Sequence, residues 1–194
     1  MKIISAPHPT LRQTAVEVKT VDKKLIVFIK DLESTLKNKD NPKGVGLAAP
    51  QVDKKLRIFT TQLSNKDNFD DEDSLEIKHY INPVITKHAD KQIFGEDKDH
   101  PQLEGCLSIP KIYSPVPRWQ WIELEYSILK NGKLISQKDR FDDFAARVVQ
   151  HETDHLNGIL FTDYALEYDL PVYFENEKTG KLEETTNTSV LETL

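Results

Sequence analysis

A single cysteine, Cys106, stands in a chain of 194 residues, so no disulfide can form within it. A lone cysteine is a small buried hydrophobe, a nucleophile or a metal ligand, and its neighbours must decide. Long apolar runs are also missing: none approaches the ~20 residues that a membrane-spanning helix requires. The N-terminus, from Met1 to Pro7, carries neither the apolar stretch of a secretory signal nor the arginines of a transit segment, so the cytoplasm is the expected location. Positive charge is in deficit, with 26 Lys and Arg against 32 Asp and Glu, a formal net charge of −6. Phosphate backbones and anionic lipids are held by clustered cations, so neither direct nucleic-acid binding nor a membrane partner is expected. No internal repeat and no domain-sized linker interrupts the chain. What is present, 38% hydrophobic and 30% charged residues, suffices for one globular domain with a substantial core.

Periodicity predicts the elements. Leu25, Ile29, Leu32 and Leu36 recur at helical spacing behind Asp22 as N-cap, which predicts a helix over residues 22–37. Asn41, Pro42 and Gly44 end it. Strands are expected over 56–63 and 79–86, with Asn82-Pro83 marking an edge or a bulge. Residues 119–129 put Ile122, Leu124, Tyr126 and Ile128 on one face, Asn131-Gly132 is a strong hairpin turn, and 133–140 is the return strand. Asp142 or Asp143 then caps a helix over 144–157, closed by Gly158, with Phe144, Val148 and Leu156 on its inward arc. A short strand at 172–174 and a turn at 178–180 follow, and residues from about 183 onward are expected to be poorly ordered. Two charged spans, 65–76 and 88–100, read as solvated loops; the first has the aspartates but not the Gly and Glu spacing of a calcium loop.

The chemistry sits on the 144–157 helix, in Gln150-His151-Glu152-Thr153-Asp154-His155. Positions i and i+4 share a helix face, so both imidazoles can reach one metal ion, and Glu152 is placed as general base for a water there. The HExxH pattern alone leaves the third ligand unassigned. Glu104-Gly105-Cys106-Leu107-Ser108 offers one: a thiolate with two imidazoles leaves a coordination position open, as a catalytic metal needs. The stretch from Gly44 to Gln51 is rich in Gly and Ala, which lets a backbone pass close to another segment or to a ligand. It lacks the third glycine of a dinucleotide loop and the Lys-Ser/Thr of a phosphate loop. His8, His79, His88 and His100 have no partner spacing and read as ordinary surface or strand residues.

Three stretches, GVGLAAPQ at 44–51, EGCLS at 104–108 and QHETDHLNG at 150–158, resemble in order and content the signature motifs of the peptide deformylases. The likeness runs from Ala6-Pro7-His8-Pro9-Thr10-Leu11-Arg12 through Ile81-Asn82-Pro83 to Leu160-Phe161-Thr162-Asp163, about residues 1–165. It implies an α+β fold: mixed or antiparallel sheets around a central helix that bears HExxH, with the N-terminal helix packed outside. It also implies hydrolysis of the N-formyl group from the N-terminal formyl-methionine of newly made polypeptides, releasing formate. By the resemblance, Cys106, His151 and His155 hold one divalent ion, ferrous iron first, with zinc and nickel as alternates. Glu152 is then general base and acid, and Gln51 with the backbone N–H of Leu107 holds the oxyanion. Val45, Gly46, Glu104 and Gly105 lie along the substrate, and an ion pair between Glu104 and Arg118 braces the cysteine loop.

On this reading residues 1–165 form the catalytic domain and 166–194 an acidic, partly disordered extension. The implied partners are formyl-methionyl nascent peptides, with transient proximity to the ribosome. Some family members meet the ribosome through a basic C-terminal helix; the tail here is acidic, so that contact is not carried over. Asp53, Asp143 and Val148 depart from residues common in the family and bear on pocket shape rather than on ligands or base. The competing reading is an HExxH peptidase. It would draw its third ligand from groups such as Glu167, Glu175 or Glu177 and leave Cys106 and Gln51 unexplained.

Overall fold

The computed structural model describes residues 1–64, 75–95, 102–185 and 191. Helix α1 (Lys23–Lys37) forms where the leucine spacing predicts, and Asp22 caps it by accepting the Leu25 N–H at 2.7 Å. Leu25, Phe28, Ile29, Leu32 and Leu36 make its buried stripe. Strands β1 (Gly46–Ala48), β2 (Ile58–Ser64) and β3 (Leu75–His88) follow, and the hairpin at Asn131-Gly132 joins β8 (Trp121–Lys130) to β9 (Lys133–Asp142). These five form one antiparallel sheet in the order β1-β2-β3-β8-β9.

Period-two alternation divides this sheet between two helices. Leu47, Ile58 and Ile81 face α1, whereas their neighbours Ala48, Phe59 and Tyr80 join Ala146, Val149 and Leu156 of helix α2 (Asp143–Asn157). The two helices therefore cover opposite faces, and β1 is the sheet edge beside both.

A second antiparallel sheet runs β11-β10-β6-β5, from β5 (Glu104–Cys106) and β6 (Ile109–Ser114) to β10 (Val172–Glu175) and β11 (Leu182–Thr185). It shares a core with α3 (Phe161–Glu167) built from Ile109, Ile112, Val116, Phe161, Ala165 and Val172. A two-stranded pair, β4 (Gln92–Ile93) with β7 (Arg118–Trp119), completes the strands among the described residues. Every named strand pair is antiparallel, which makes the fold α+β with antiparallel sheets and few helices.

One open expectation is decided and several others need correction. Asn82-Pro83 is a bulge and not an edge, because β3 lies between β2 and β8 and its register shifts between Ile81 and Val84. Asn82 takes a φ of 52°, and its amide brackets Val18, accepting its N–H and donating to its carbonyl at 2.8 Å each. Asp142 precedes α2, but its carboxylate is engaged by the Arg140 guanidinium at 2.9 Å and makes no capping bond. Phe144 is 41% exposed and not on the inward arc, since it stands in the first turn beside an open cavity. Residues 183–185 belong to β11, and Leu191 is buried in the α3 core. The rest of the tail, most of the acidic span 65–76, and His100 lie outside the described residues. Helix α3 had no periodic signal because its seven residues make barely two turns. His79 is half-buried, bonded at Nδ1 to Glu33 and at Nε2 to the Leu129 N–H.

Gly158 ends α2 at a φ of 75°, and a Cβ there would sit 2.7 Å from the Arg12 carbonyl. The turn thus needs glycine both for its left-handed backbone and for the close approach of the N-terminal segment. The stripe on α1 makes a direct prediction. Leu32 is fully buried and Val27 is 56% exposed on the same helix. In urea denaturation, Leu32→Ala should lose about 2–5 kcal/mol of stability, whereas Val27→Ala should stay within about 0.5 kcal/mol of wild type.

Candidate active site and metal centre

Cys106 closes β5, and His151 and His155 stand one turn apart on α2. One ligand-type atom from each lies within 4.8 Å of the others, and all three residues are buried. His155 Nε2 is 3.2 Å from Cys106 Sγ, which also receives the Ser108 N–H and Gln51 Nε2 at 3.4 Å each. His151 Nδ1 is 3.0 Å from Glu104 Oε2, so Nε2 is the ring nitrogen left for a metal. Glu167, Glu175 and Glu177 join no such cluster among the described residues. Two of them are engaged elsewhere: Glu175 accepts from Tyr113 at 3.2 Å and Glu177 pairs with Lys111 at 2.6 Å.

Glu104 is the electrostatic hub. Arg118 grips its carboxylate with Nε and Nη2 at 2.8 and 2.9 Å, the ion pair expected from the sequence. Arg147 adds a third donor at 2.9 Å, and Arg118 reaches on to Asp154 at 2.5 Å. Burial works against the Glu104 charge, yet Arg118 and then His151 hold its carboxyl far below the usual carboxylate range. Burial likewise opposes a charge on His151, but Cys106 and Glu104 outweigh it and draw a proton there. Burial, helped by the neighbouring His151, keeps a proton off His155. A divalent cation at the thiolate would compete for the same imidazole lone pairs.

Glu152 differs from Glu104. Burial pushes its carboxyl up to about 7, only partly opposed by His151. Its Oε2 is buried without a hydrogen-bond partner among the described residues. Gly46 of β1 passes directly over it, and a Cβ on Gly46 would lie 2.7 Å from the Glu152 Cδ, so only glycine lets the strand come so near. Gln51 is 1% exposed, in the short 3-10 turn Ala49–Val52 that follows β1. Its Oε1 accepts the Ala48 N–H at 2.8 Å, which aims Nε2 at Ser108 Oγ and Cys106 Sγ.

A cavity of about 250 Å³ opens here between the edges β1 and β5. Nine of the ten residues nominated from sequence line it: Val45, Gly46, Gln51, Glu104, Gly105, Cys106, Leu107, His151 and Glu152. The tenth, His155, joins through Cys106. Sequence reasoning missed Arg147, Asp154 and Ser108. Arg147 had a signal, because it lies four residues before His151 and so on the same helix face, where both reach Glu104. Asp154, three residues after His151, carried the same helix-face signal, whereas the Ser108 contact with Gln51 is chain-distant and no local pattern marks it.

The donor set suits a transition metal ion, since one thiolate and two imidazoles match a three-ligand catalytic site, and an unpartnered buried carboxylate oxygen stands beside them. A model of the polypeptide deformylase family matches residues 1–169. Peptide deformylase 2 of Nostoc sp. is 38% identical over 164 residues, covering 84% of each chain. The crystal structure of the Thermotoga maritima peptide deformylase, 31% identical, superposes with a TM-score of 0.68 over 84% of this chain and 95% of that one. A peptide deformylase from Acinetobacter baumannii, in a crystal structure with Met-Ala-Ser bound, is 28% identical, with a TM-score of 0.69 over 84% of this chain and 97% of that one. With a family model over residues 1–169 and relatives of this likeness, the chain belongs to the polypeptide deformylase family, the metal-dependent hydrolases that remove the N-formyl group from newly made polypeptides.

Proposed function

We propose that this chain hydrolyses formyl-methionyl peptides at a site where Cys106, His151 and His155 would hold a divalent ion, with Glu152 as the proton carrier. The observation that carries the reading is the convergence of three chain-distant stretches on one cavity, where Glu152 Oε2 and His155 Nδ1 are buried at the ligand cluster without a hydrogen-bond partner among the described residues. Bound there, a divalent ion would supply Lewis acidity toward the formyl carbonyl and a water acidic enough to ionise near neutral pH. We assign ferrous iron first, with zinc and nickel as alternates, because thiolate and imidazole donors suit all three.

The chain's own groups do the rest. Glu152 accepts the proton of the attacking water and returns it to the leaving amine, a double duty that suits a carboxyl held at about 7. Gln51 Nε2 and the Leu107 backbone N–H donate to the oxyanion as the formyl carbon becomes tetrahedral. Glu104, through its bond to His151 Nδ1, fixes that ring's tautomer and orientation. The edges of β1 and β5 leave room for an extended peptide to pair with backbone at Val45, Gly46 and Gly105, as in strand addition. The relative that carries Met-Ala-Ser supports a peptide product in this kind of site. In this reading α2 is the central helix of the catalytic domain, residues 1–165, with the five-stranded sheet on one side and Cys106 and Glu104 of the other sheet opposite. The later residues form the acidic extension. Among the described residues no helix is long and apolar enough to cross a membrane. We place the enzyme in the cytoplasm because its substrates leave the ribosome there.

Protein purified anaerobically with ferrous iron should release formate from formyl-Met-Ala-Ser. Glu152→Ala should keep its metal and lose about 10²–10⁴-fold in kcat. Undetectable formate from metal-loaded wild type would sink the reading. Chelation should abolish release, and stoichiometric ferrous iron should restore it, both followed by metal analysis on the assayed sample. Gln51→Ala should lower kcat by roughly 10²–10³-fold with a smaller change in KM. A matching loss of bound metal in that variant would assign Gln51 to ligand geometry instead of the oxyanion.

A further inference from the structure

The cavity at the ligand cluster continues beyond the metal site. Pro42, Leu107, Pro110, Lys111 and Tyr113 line both it and a second, larger space that opens toward α1. The second holds about 1110 Å³ against about 250 Å³ for the first. One wall is the C-terminal half of α1 and the turn after it, with Ser34, Thr35, Asn38 and Asn41. The other is β6 together with Glu175 of β10.

Its charges are mostly spent within the protein. Asp31 and Glu175 face Lys39, Lys111 and the Met1 ammonium. Four of those five are engaged: Lys111 with Glu177 at 2.6 Å, Glu175 with Tyr113 at 3.2 Å, Lys39 with the Asn41 carbonyl at 2.6 Å, and the Met1 ammonium with Thr35 Oγ1 at 2.7 Å. What the walls offer a ligand is mainly hydroxyls and side-chain amides. Those groups match a peptide backbone and discriminate little between side chains.

We propose that this groove receives the downstream part of the same formylated polypeptide and holds it by its backbone. The inference rests on the deformylase reading, because it needs the formyl end at Cys106. An extended chain advances about 3.3–3.6 Å per residue, so the fourth residue onward lies ~10 Å or more from the formyl end. The shared residues make the larger space a direct continuation. A lining whose charges are mostly engaged within the protein is also what substrates require when all they have in common is their first residue.

The test compares kcat/KM of the iron-loaded enzyme for formyl-Met-Ala-Ser with two formylated heptapeptides that begin with the same three residues. One heptapeptide carries lysines and the other glutamates at the added positions. Both should be turned over roughly tenfold or more better than the tripeptide, a gain read mainly in KM. Ser34→Tyr and Asn38→Tyr, two exposed positions on or just after α1 that would plug the groove, should bring the heptapeptide-to-tripeptide ratio toward one. Equal kcat/KM for all three peptides in wild type would overturn the groove alone. So would a full wild-type ratio in both plugged variants, or a gain confined to one charge sign. No formate from any peptide would overturn the deformylase reading and the groove with it.

Discussion

The Glu104 carboxylate is the joint on which the site depends. Oε1 receives Arg118 Nε and Arg147 Nη1, and Oε2 receives Arg118 Nη2 and His151 Nδ1, so every lone-pair direction of the buried group is filled. Desolvating an ion costs several kcal/mol, and only this degree of pairing offsets it. Charge closes as well, because Asp154 faces Arg118 from α2 and two carboxylates balance two guanidiniums. The geometric consequence is larger than the energetic one. Glu104 lies two residues before Cys106 on β5, while Arg147, His151 and Asp154 lie on α2. One anion thereby sets the distance between the strand that carries the thiolate and the helix that carries both imidazoles. A metal centre assembled from two elements needs such a tie, since an error of a fraction of an ångström in either would misplace a ligand.

What could be read in advance follows from range. Helix α1, the β8–β9 hairpin and α2 each announce themselves within a dozen residues, through leucine spacing, an Asn-Gly turn and a Gly stop. The ligand pair on α2 is likewise a local i, i+4 relation. Strands β1 and β5 escaped notice because each is three residues long, too short for any alternation to show. Their place as facing sheet edges depends on pairings made far along the chain. Asn82 shows the same limit from the other side. Its position before proline signals irregularity, but whether that means an edge or a bulge is decided by β8, some forty residues later. Ser108 belongs to this class too, being a polar residue whose partner arrives only on folding.

Exposed strand edges invite unwanted pairing, and proteins blunt them by keeping them short. Among the described residues, the two edges that line the cavity, β1 on one side and β5 on the other, are three residues each. Edge backbone is thus kept to a few residues on each wall of the cavity where we propose that the peptide docks. The tight passage of Gly46 over Glu152 serves the same economy, bringing the β1 edge into contact with the carboxyl proposed as proton carrier.

Two glutamates within one buried site end up with opposite protonation behaviour, and the difference lies in their donors. Both are equally removed from water, at 6% exposure for Glu104 and 3% for Glu152. Glu104 has four charged or polarised N–H donors and stays ionised far into acid. Glu152 has an unpaired oxygen and feels burial most strongly, so its carboxyl rises to about 7. A group with the first environment can only bind and orient. A group with the second can take a proton and give it back at neutral pH, which is what hydrolysis of an amide demands of a single side chain. The difference between the anchor and the proposed proton carrier is therefore set by hydrogen-bond supply, since depth of burial is nearly the same for both.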